Sequence, residues 1–247
     1  MYLSRLVLNP MSREVRRDVT DCHALHRRVM SGFPDGLPDE GARAQLGVLY
    51  RLDVDPRRGD LVLLVQSSVE PNWARLPAPR YLRETAGALA NPDCKPVVDA
   101  YAALRAGDLL AFRLRANPTR KIRPDGATGN GKRVELRDEE ARLDWLRRKG
   151  EQGGFALPLM HVRPNGGEWP LVRANPDGAV GGKQAGWQRR ASDEAEAKPR
   201  RLTFGAVVFE GVLRVTDAER FRATLAEGIG PGKAYGFGLL SVASARG

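Results

Sequence analysis

The chain has 247 residues, enough for one large domain or two small ones. Its composition, 42% hydrophobic and 28% charged, is that of a globular protein and excludes a largely disordered one. Lys and Arg number 40 against 30 Asp and Glu, and the net charge of +10 favours a polyanionic partner, most often nucleic acid.

The two cysteines, Cys22 and Cys94, form no CxxC pair, which argues against a disulfide scaffold or a cysteine zinc site and fits a reducing compartment. The first residues are interrupted by Arg5 and Pro10 and do not resemble a signal sequence. No apolar run approaches the ~20 residues that cross a bilayer. We therefore expect a cytoplasmic protein that does not bind a membrane.

Hydrophobic alternation predicts three strands in the first part of the chain, at 2–8, 48–54 and 60–67. Between the first two, Cys22, Leu25 and Val29 recur at helical spacing and predict a helix whose N-cap is Thr20 or Asp21. Three further segments are less distinctive: 11–20 fits a loop or a helix, 71–81 is ambiguous, and 87–96 indicates a connector.

The second part of the chain repeats this alternation of strands and helices. Strands are predicted at 109–116, 155–162, 202–215 and 239–243. Helices are predicted at 138–149 and from a capping box, Thr216 to Glu219, as far as Glu227. Residues 164–200 are rich in Gly, Pro, Arg and Lys and indicate a long hairpin or an insertion.

Each half thus follows approximately the order strand, helix, strand, strand, helix, strand. This order predicts an α+β fold of two tandem ferredoxin-like (RRM-like) domains with antiparallel sheets. We expect the first domain to span 1–95, a linker 96–107, and the second domain, with the basic insertion, 108–247. RNA-recognition modules share this order of elements.

A glycine-rich loop near the end of the chain surrounds Lys233 with Gly228, Gly230, Gly232, Gly236 and Gly238. Glycines let backbone amides approach a phosphate closely, and the lysine adds a positive charge. It is not a nucleotide P-loop, because Ala234 follows the lysine and the order is helix to strand. A structural turn that closes a sheet explains the loop equally well.

His23 and His26 lie one helical turn apart on the first predicted helix. A histidine titrates near neutral pH and suits general acid–base catalysis, although a half-buried structural histidine is the commoner occurrence. No HExxH motif or carboxylate cluster accompanies the pair, so we expect neither a metal nor another cofactor.

Basic residues cluster around this helix, around 113–133 and in the insertion, and two of the clusters lie in Gly-rich segments that suit phosphate-backbone binding. The candidate RNA-binding residues are Arg27, Arg28, Arg113, Arg115, Lys121, Lys132, Arg133, Arg163, Arg189, Arg190 and Lys233.

Taken in order along the chain, these motifs resemble the CasE subfamily, the repeat-processing endoribonucleases of the type I-E CRISPR Cascade complex. The resemblance rests on the opening Tyr2 to Pro10, the pair His26-Arg27, the strand Phe112 to Pro118, Gly-Lys-Arg at 131–133, and the closing Gly228 to Val242. It extends over roughly the whole chain.

The resemblance implies a metal-independent enzyme that binds a hairpin repeat in precursor RNA and cuts at the base of the stem. The upstream fragment keeps a 2′,3′-cyclic phosphate, and the enzyme, a monomer when alone, stays bound to the guide RNA among other Cascade subunits. His26 matches the family's catalytic histidine. His23 stands where the family often has tyrosine, so its role is either catalysis or the orientation of RNA.

Two alternatives stand beside this interpretation. A non-catalytic RNA-hairpin-binding subunit of the same fold would use the basic loops only as a clamp. A ferredoxin-like metabolic or regulatory domain would bind a small anion in the glycine loop, but this leaves the separate basic clusters unexplained.

Overall fold

A computed structural model describes residues 1–35, 41–55, 58–77, 80–84, 90–122, 132–158, 173–176, 183–188 and 200–245. The chain forms two compact units. The N-terminal unit comprises Met1–Val98 with Gly178–Phe204 and Ala234–Gly236, and the C-terminal unit comprises Asp99–Asp177, Gly205–Lys233 and Phe237–Gly247. Three residues of the glycine-rich loop, Ala234–Gly236, therefore belong to the N-terminal unit by their contacts.

The strands, numbered in chain order, are β1 (Tyr2–Leu8), β2 (Leu49–Val54), β3 (Leu61–Ser67), β4 (Asp93–Pro96), β5 (Leu109–Ala116), β6 (Thr119–Ile122), β7 (Lys132–Glu135), β8 (Phe155–Ala156), β9 (Arg173–Pro176), β10 (Lys183–Gln188), β11 (Arg200–Gly205), β12 (Val207–Val215) and β13 (Leu240–Ser244). The helices are α1 (Arg13–Thr20), α2 (Cys22–Met30), α3 (Ala42–Gln45), α4 (Val98–Ala102), α5 (Glu139–Gly153) and α6 (Ala218–Glu227), with short 3₁₀ helices at Trp73–Arg75 and Lys233–Tyr235.

The sheet of the N-terminal unit has four antiparallel strands in the order β2-β3-β1-β4. The sheet of the C-terminal unit has the order β13-β5-β12-β8, also antiparallel, and β9 pairs with β12 as well. The central strands are β1 and β3 in the first sheet and β5 and β12 in the second, which is the ferredoxin-like arrangement. The predicted fold class is confirmed.

Helices pack on one face of each sheet. In the N-terminal unit, Val15 of α1 and Leu25 and Val29 of α2 share a core with Leu6 and Leu63 of the central strands. In the C-terminal unit, residues of α5 and α6 pack on the sheet, and the ring of Trp145 stacks 6.1 Å from that of Phe209. Burial of each large apolar side chain contributes roughly 1.5–3 kcal/mol.

Local differences from the predicted elements have identifiable causes. The segment 87–96, interpreted as a connector, contains β4, which pairs with β1 at the edge of the sheet, where a strand tolerates Pro96. The strand predicted at 202–215 is two strands, since β11 pairs with β10 and β12 with β5. The strand predicted from residue 155 ends at Ala156, and 159–162 lie outside the described residues.

The helix boundaries were also partly mispredicted. Asp217, not Thr216, caps α6, because its carboxylate accepts from the backbone N–H groups of Glu219 and Arg220. Helix α5 runs beyond residue 149 to Gly153 and ends where Gly154 adopts a left-handed conformation. Between β3 and β4, the described residues hold only the 3₁₀ helix Trp73–Arg75 where the ferredoxin-like order predicts a helix.

A buried carboxylate joins α1 to α2. Asp18 is 1% exposed and accepts hydrogen bonds from Arg28 Nε at 2.7 Å, Tyr81 Oη at 3.2 Å and Arg17 Nη2 at 3.1 Å. The guanidinium of Arg28 also lies 5.0 Å from the centre of the Tyr81 ring. The orientation of α2 therefore depends on the buried charge of Asp18, which the hydrogen bonds from Arg28, Tyr81 and Arg17 stabilise.

Replacing Asp18 with Ala leaves Arg28 without its carboxylate, and we expect the free energy of unfolding to fall by about 3 kcal/mol, a usual cost of breaking a largely buried ion pair. Urea unfolding at pH 7 measures this change. Asp35→Ala is the matched control, because the Asp35 side chain is 91% exposed beside Arg75 and should contribute less than about 1 kcal/mol. Equal losses in the two variants would contradict the structural role of Asp18.

Candidate active site

Helix α2 carries both histidines on a rigid, capped segment. Asp21 accepts from the backbone N–H of His23 at 2.8 Å and of Ala24 at 3.3 Å, and this settles the cap in favour of Asp21 over Thr20. Leu25 and Val29 are buried in the core, whereas the histidine side chains are half-buried. The histidines therefore emerge along the border of the buried face.

Each histidine ring lies against a tyrosine ring. The ring centres of His26 and Tyr50 are 6.4 Å apart and nearly parallel, with an interplanar angle of 24°. Those of His23 and Tyr235 are 5.0 Å apart in an edge-on arrangement of 76°. Both distances lie in the range of favourable aromatic pairs, so the two imidazoles are oriented by packing.

One nitrogen of each imidazole is buried without a hydrogen-bond partner among the described residues: Nε2 of His23 and Nδ1 of His26. Buried polar atoms of side chains are nearly always hydrogen-bonded, so each exception needs an explanation, and a catalytic role is one of them. Two such atoms one helical turn apart make the histidine pair a candidate site.

The surroundings of His26 disfavour its protonated form. Burial is the main cause, and the positive charge of Arg43 and then that of His23 add to it, so the pKa of His26 falls from 6.5 to about 4. Arg43 is held nearby by donation from its Nη1 to the Val48 carbonyl at 2.8 Å. At neutral pH the imidazole is uncharged and can accept a proton.

The two arginines that follow His26 differ in their surroundings. Arg27 is exposed and stays a candidate for a phosphate contact. Arg28 is paired with Asp18 and packed on Tyr81. These contacts join α2 to the rest of the N-terminal unit, and the predicted phosphate contact of Arg28 stays a prediction.

All five glycines of the loop have a positive φ: Gly228, Gly230, Gly232, Gly236 and Gly238. A Cβ added at Gly232 would lie 2.9 Å from the Phe237 ring, and one added at Gly238 would lie 2.9 Å from the Ile229 carbonyl oxygen. The N–H of Gly238 also donates to the Arg115 carbonyl at 2.8 Å. The glycines thus have a structural role in closing the loop, whether or not it meets a phosphate.

Two of the predicted phosphate ligands are engaged within the C-terminal unit. Arg115 is 2% exposed, and its guanidinium lies 4.7 Å from the centre of the Phe237 ring, so it packs against the loop. Arg113 donates to Glu210 on the neighbouring strand. Strand alternation alone did not reveal either arrangement.

A groove of about 460 Å³ in the C-terminal unit brings together the cations Arg133, Lys149 and Lys233. Arg133 and Lys121 face each other across the β6–β7 hairpin and are both exposed. Of the other predicted ligands, Lys132 has only its backbone described, in β7, and Arg163, Arg189 and Arg190 lie outside the described residues. Lys149, on α5, was not predicted as a ligand.

Three residues around the histidines were also missed by sequence reasoning. Tyr50 belongs to an apolar strand pattern, and Arg43 lies in a short segment without periodicity. Tyr235 lies within the glycine-rich loop, where the repeated glycines and Lys233 attracted the functional interpretation. An aromatic residue among glycines was the one available signal.

Among the residues with described positions, no group of three His, Cys, Asp or Glu side chains is arranged to hold a metal ion. Within the same residues, no helix is long and apolar enough to cross a membrane.

Comparisons with known proteins match the whole chain. Residues 1–244 match the family model described as CRISPR associated protein. The CRISPR-associated endoribonuclease Cse3 of Thermus thermophilus is 38% identical over 245 residues, which are 98% of this chain and 100% of that protein. The CRISPR system Cascade subunit CasE of Escherichia coli K12 is 33% identical over 146 residues, 57% of this chain and 60% of that subunit.

A solved structure agrees with the sequence comparisons. The CRISPR endoribonuclease Cse3 bound to 19 nt RNA superposes with a TM-score of 0.68 at 35% identity. The match covers 98% of this chain and 100% of that one.

Replacing Arg43 with Gln removes a positive charge near His26, and we expect the pKa of His26 to rise from about 4 towards 6.5. NMR titration of the imidazole resonances measures this pKa directly. Arg16→Gln, at an exposed position on α1, should leave it unchanged. An unchanged His26 pKa in Arg43→Gln would leave burial and the charge of His23 as its causes.

The lowered pKa of His26 also affects stability. Because His26 binds its proton more tightly in the unfolded chain, wild-type stability should fall as the pH drops from about 6.5 to about 4.

Proposed function

The chain belongs to the CRISPR-associated protein family that includes Cse3 and CasE, and from that premise we propose how it acts on RNA. It is a repeat-processing endoribonuclease. In our proposal it binds the hairpin of a CRISPR repeat, cuts at the base of the stem without a metal ion, and leaves a 2′,3′-cyclic phosphate on the upstream fragment. It then stays bound to the guide RNA within Cascade.

The observation that supports this proposal most is the histidine pair of α2 with its two unpartnered buried nitrogens. An uncharged imidazole can accept the proton of a ribose hydroxyl, and histidine is the side chain that most often does so in enzymes. Neither the clamp-only alternative nor a small-anion site needs such a pair.

The proposed chemistry follows from proton transfer. His26, neutral at pH 7, accepts the proton of the 2′-hydroxyl, whose oxygen attacks the adjacent phosphorus. The new bond from the 2′-oxygen to phosphorus closes the cyclic phosphate while the bond from phosphorus to the 5′-oxygen breaks. The leaving 5′-oxygen takes a proton from His23 or from the newly protonated His26. The negative phosphate near His26 favours its protonated form and raises its pKa towards the range where an imidazole transfers protons efficiently.

Side chains also supply the charges that the reaction needs. The exposed Arg27 adjoins His26 in the sequence, and Arg43 adds a second cation near the ring. Positive charge near a developing phosphorane stabilises the transition state. The proposed mechanism therefore needs no metal, and EDTA should leave cutting unchanged.

The basic groove of the C-terminal unit supports RNA binding. Arg133, Lys149 and Lys233 line one concave surface, and Lys121 is exposed on the adjoining hairpin. Cations gathered in this way suit contacts with successive phosphates, which position an RNA without reading its sequence.

His26→Ala should slow single-turnover cutting of the repeat hairpin by about 10²–10⁴-fold, the usual contribution of general acid–base catalysis. Hairpin affinity should barely change, since arginines and lysines provide most of the binding. Denaturing gels with end-labelled RNA measure the rate, and filter binding measures the Kd. A folded His26→Ala protein that binds and cuts at the wild-type rate would refute the catalytic role. A wild type that binds but never cuts would favour the clamp.

His23→Ala separates the two roles left open for that residue. If His23 donates the proton to the 5′-oxygen, the same assay should show a loss comparable to that of His26→Ala. A loss below about 10-fold, together with weaker binding, would assign His23 to the orientation of RNA.

Binding should weaken with salt, because each phosphate contact releases counterions and contributes ~0.7–0.9 to the slope of log K against log salt. Arg133→Ala and Lys149→Ala should each reduce that slope by about one contact. Arg148→Ala on the same helix is a control with the same change of charge, since Arg148 does not line the groove. If all three variants have the wild-type slope, the groove does not hold RNA.

A further inference from the structure

Tyr50 connects the two histidines to the glycine-rich loop. It is fully buried in β2 within the core of the N-terminal unit. Its hydroxyl donates to the backbone carbonyl of Ala234 at 2.7 Å, across 184 positions of sequence. The same side chain stacks on His26, so it contacts the histidine helix with its ring and the loop with its hydroxyl.

The loop segment Ala234–Gly236 in turn supports His23. Tyr235 lies edge-on to His23, with ring centres 5.0 Å apart. The Tyr235 ring also packs against the ring of Phe204, again with 5.0 Å between the ring centres. Gly232 before this segment and Gly236 at its end both have a positive φ. Glycines bring no side-chain contacts that would hold a loop, so the position of Tyr235 depends on anchors such as the Tyr50 hydrogen bond.

We infer that Tyr50 is a positioning residue for RNA cutting: its hydroxyl anchors the loop segment that holds His23, while its ring orients His26. The inference rests on the proposed function and goes beyond it, because it makes the geometry of both histidines depend on one buried hydroxyl. Tyr50 itself does not touch the RNA.

The donor of this hydrogen bond belongs to a fully buried side chain, so its position is fixed by the core of the N-terminal unit. When the Tyr50 hydroxyl is removed, the Ala234 carbonyl loses this fixed partner and its loop segment can shift. A displacement of about 1 Å at a reacting group can cost up to about 10²-fold in rate. Loss of the Tyr50 hydroxyl should therefore slow chemistry more than it weakens RNA binding.

Tyr50→Phe tests the hydroxyl alone, because phenylalanine fills the same core volume and keeps the ring beside His26. We expect the single-turnover cutting rate to fall about 10-fold, with the Kd for the hairpin within about 2-fold of wild type. Tyr101→Phe is the control, because it removes a tyrosine hydroxyl from the C-terminal unit, where Tyr101 packs against the core.

Urea unfolding should show that both variants stay folded, and only Tyr50→Phe should lose cutting. If Tyr50→Phe cuts at the wild-type rate, or if the two variants slow equally, Tyr50 has only a structural role and the inference is wrong.

A second measurement does not depend on cutting. In NMR spectra, Tyr50→Phe should shift the ring resonances of His23, because Tyr235 moves relative to the imidazole, and Tyr101→Phe should not. A wild type that fails to cut the hairpin would refute the proposed function, whereas unshifted His23 resonances in Tyr50→Phe would refute the anchor. The two failures are thus distinguishable.

Discussion

The packing of α2 on the sheet of the N-terminal unit determines where both histidines stand. Leu25 and Val29 enter the core, Asp21 fixes the first turn, and the buried Asp18 holds Arg28 near the other end. A helix fixed at three points has little freedom to rotate. The histidines at the border of its buried face are therefore held half-buried, and this partial burial determines how readily His26 takes up a proton.

Half-burial has opposing consequences for His26. Removal of water makes the protonated imidazole unfavourable, and the nearby Arg43 increases the effect, so the free protein holds a neutral ring. The same lack of water strengthens any interaction with an arriving phosphate. The pKa of the group thus depends on whether a negative ligand is present, which suits a proposed base that acts only on bound RNA.

The two units differ in what they contribute to the proposed function. The N-terminal unit carries the histidines and the aromatic residues that orient them. The C-terminal unit carries a groove with three cations and an exposed basic hairpin. Binding in the groove depends on charge and therefore on salt, whereas the geometry of the histidines depends on buried contacts that salt barely screens. Variants of the two units should thus affect affinity and rate separately.

Local patterns along the chain were sufficient for much of the fold. Alternating apolar residues located β1, β2, β3 and β5, and helical spacing located α2, because these periodicities reflect which side chains face a core. The order of elements then led to the tandem ferredoxin-like fold, and the spacing of His23 and His26 placed the pair on one helix. Such features depend on neighbours within a few residues.

Only the tertiary structure determined which partners individual polar side chains contact. Arg28 and Arg115 look like phosphate ligands in the sequence, yet one pairs with Asp18 and the other packs on Phe237. Strand β4 formed in a segment without strand alternation, because the edge of β1 offered hydrogen bonds. The link from Tyr50 to Ala234 joins residues 184 positions apart. Contacts of this kind are chosen by the packing of the whole unit, and no periodicity in the sequence encodes them.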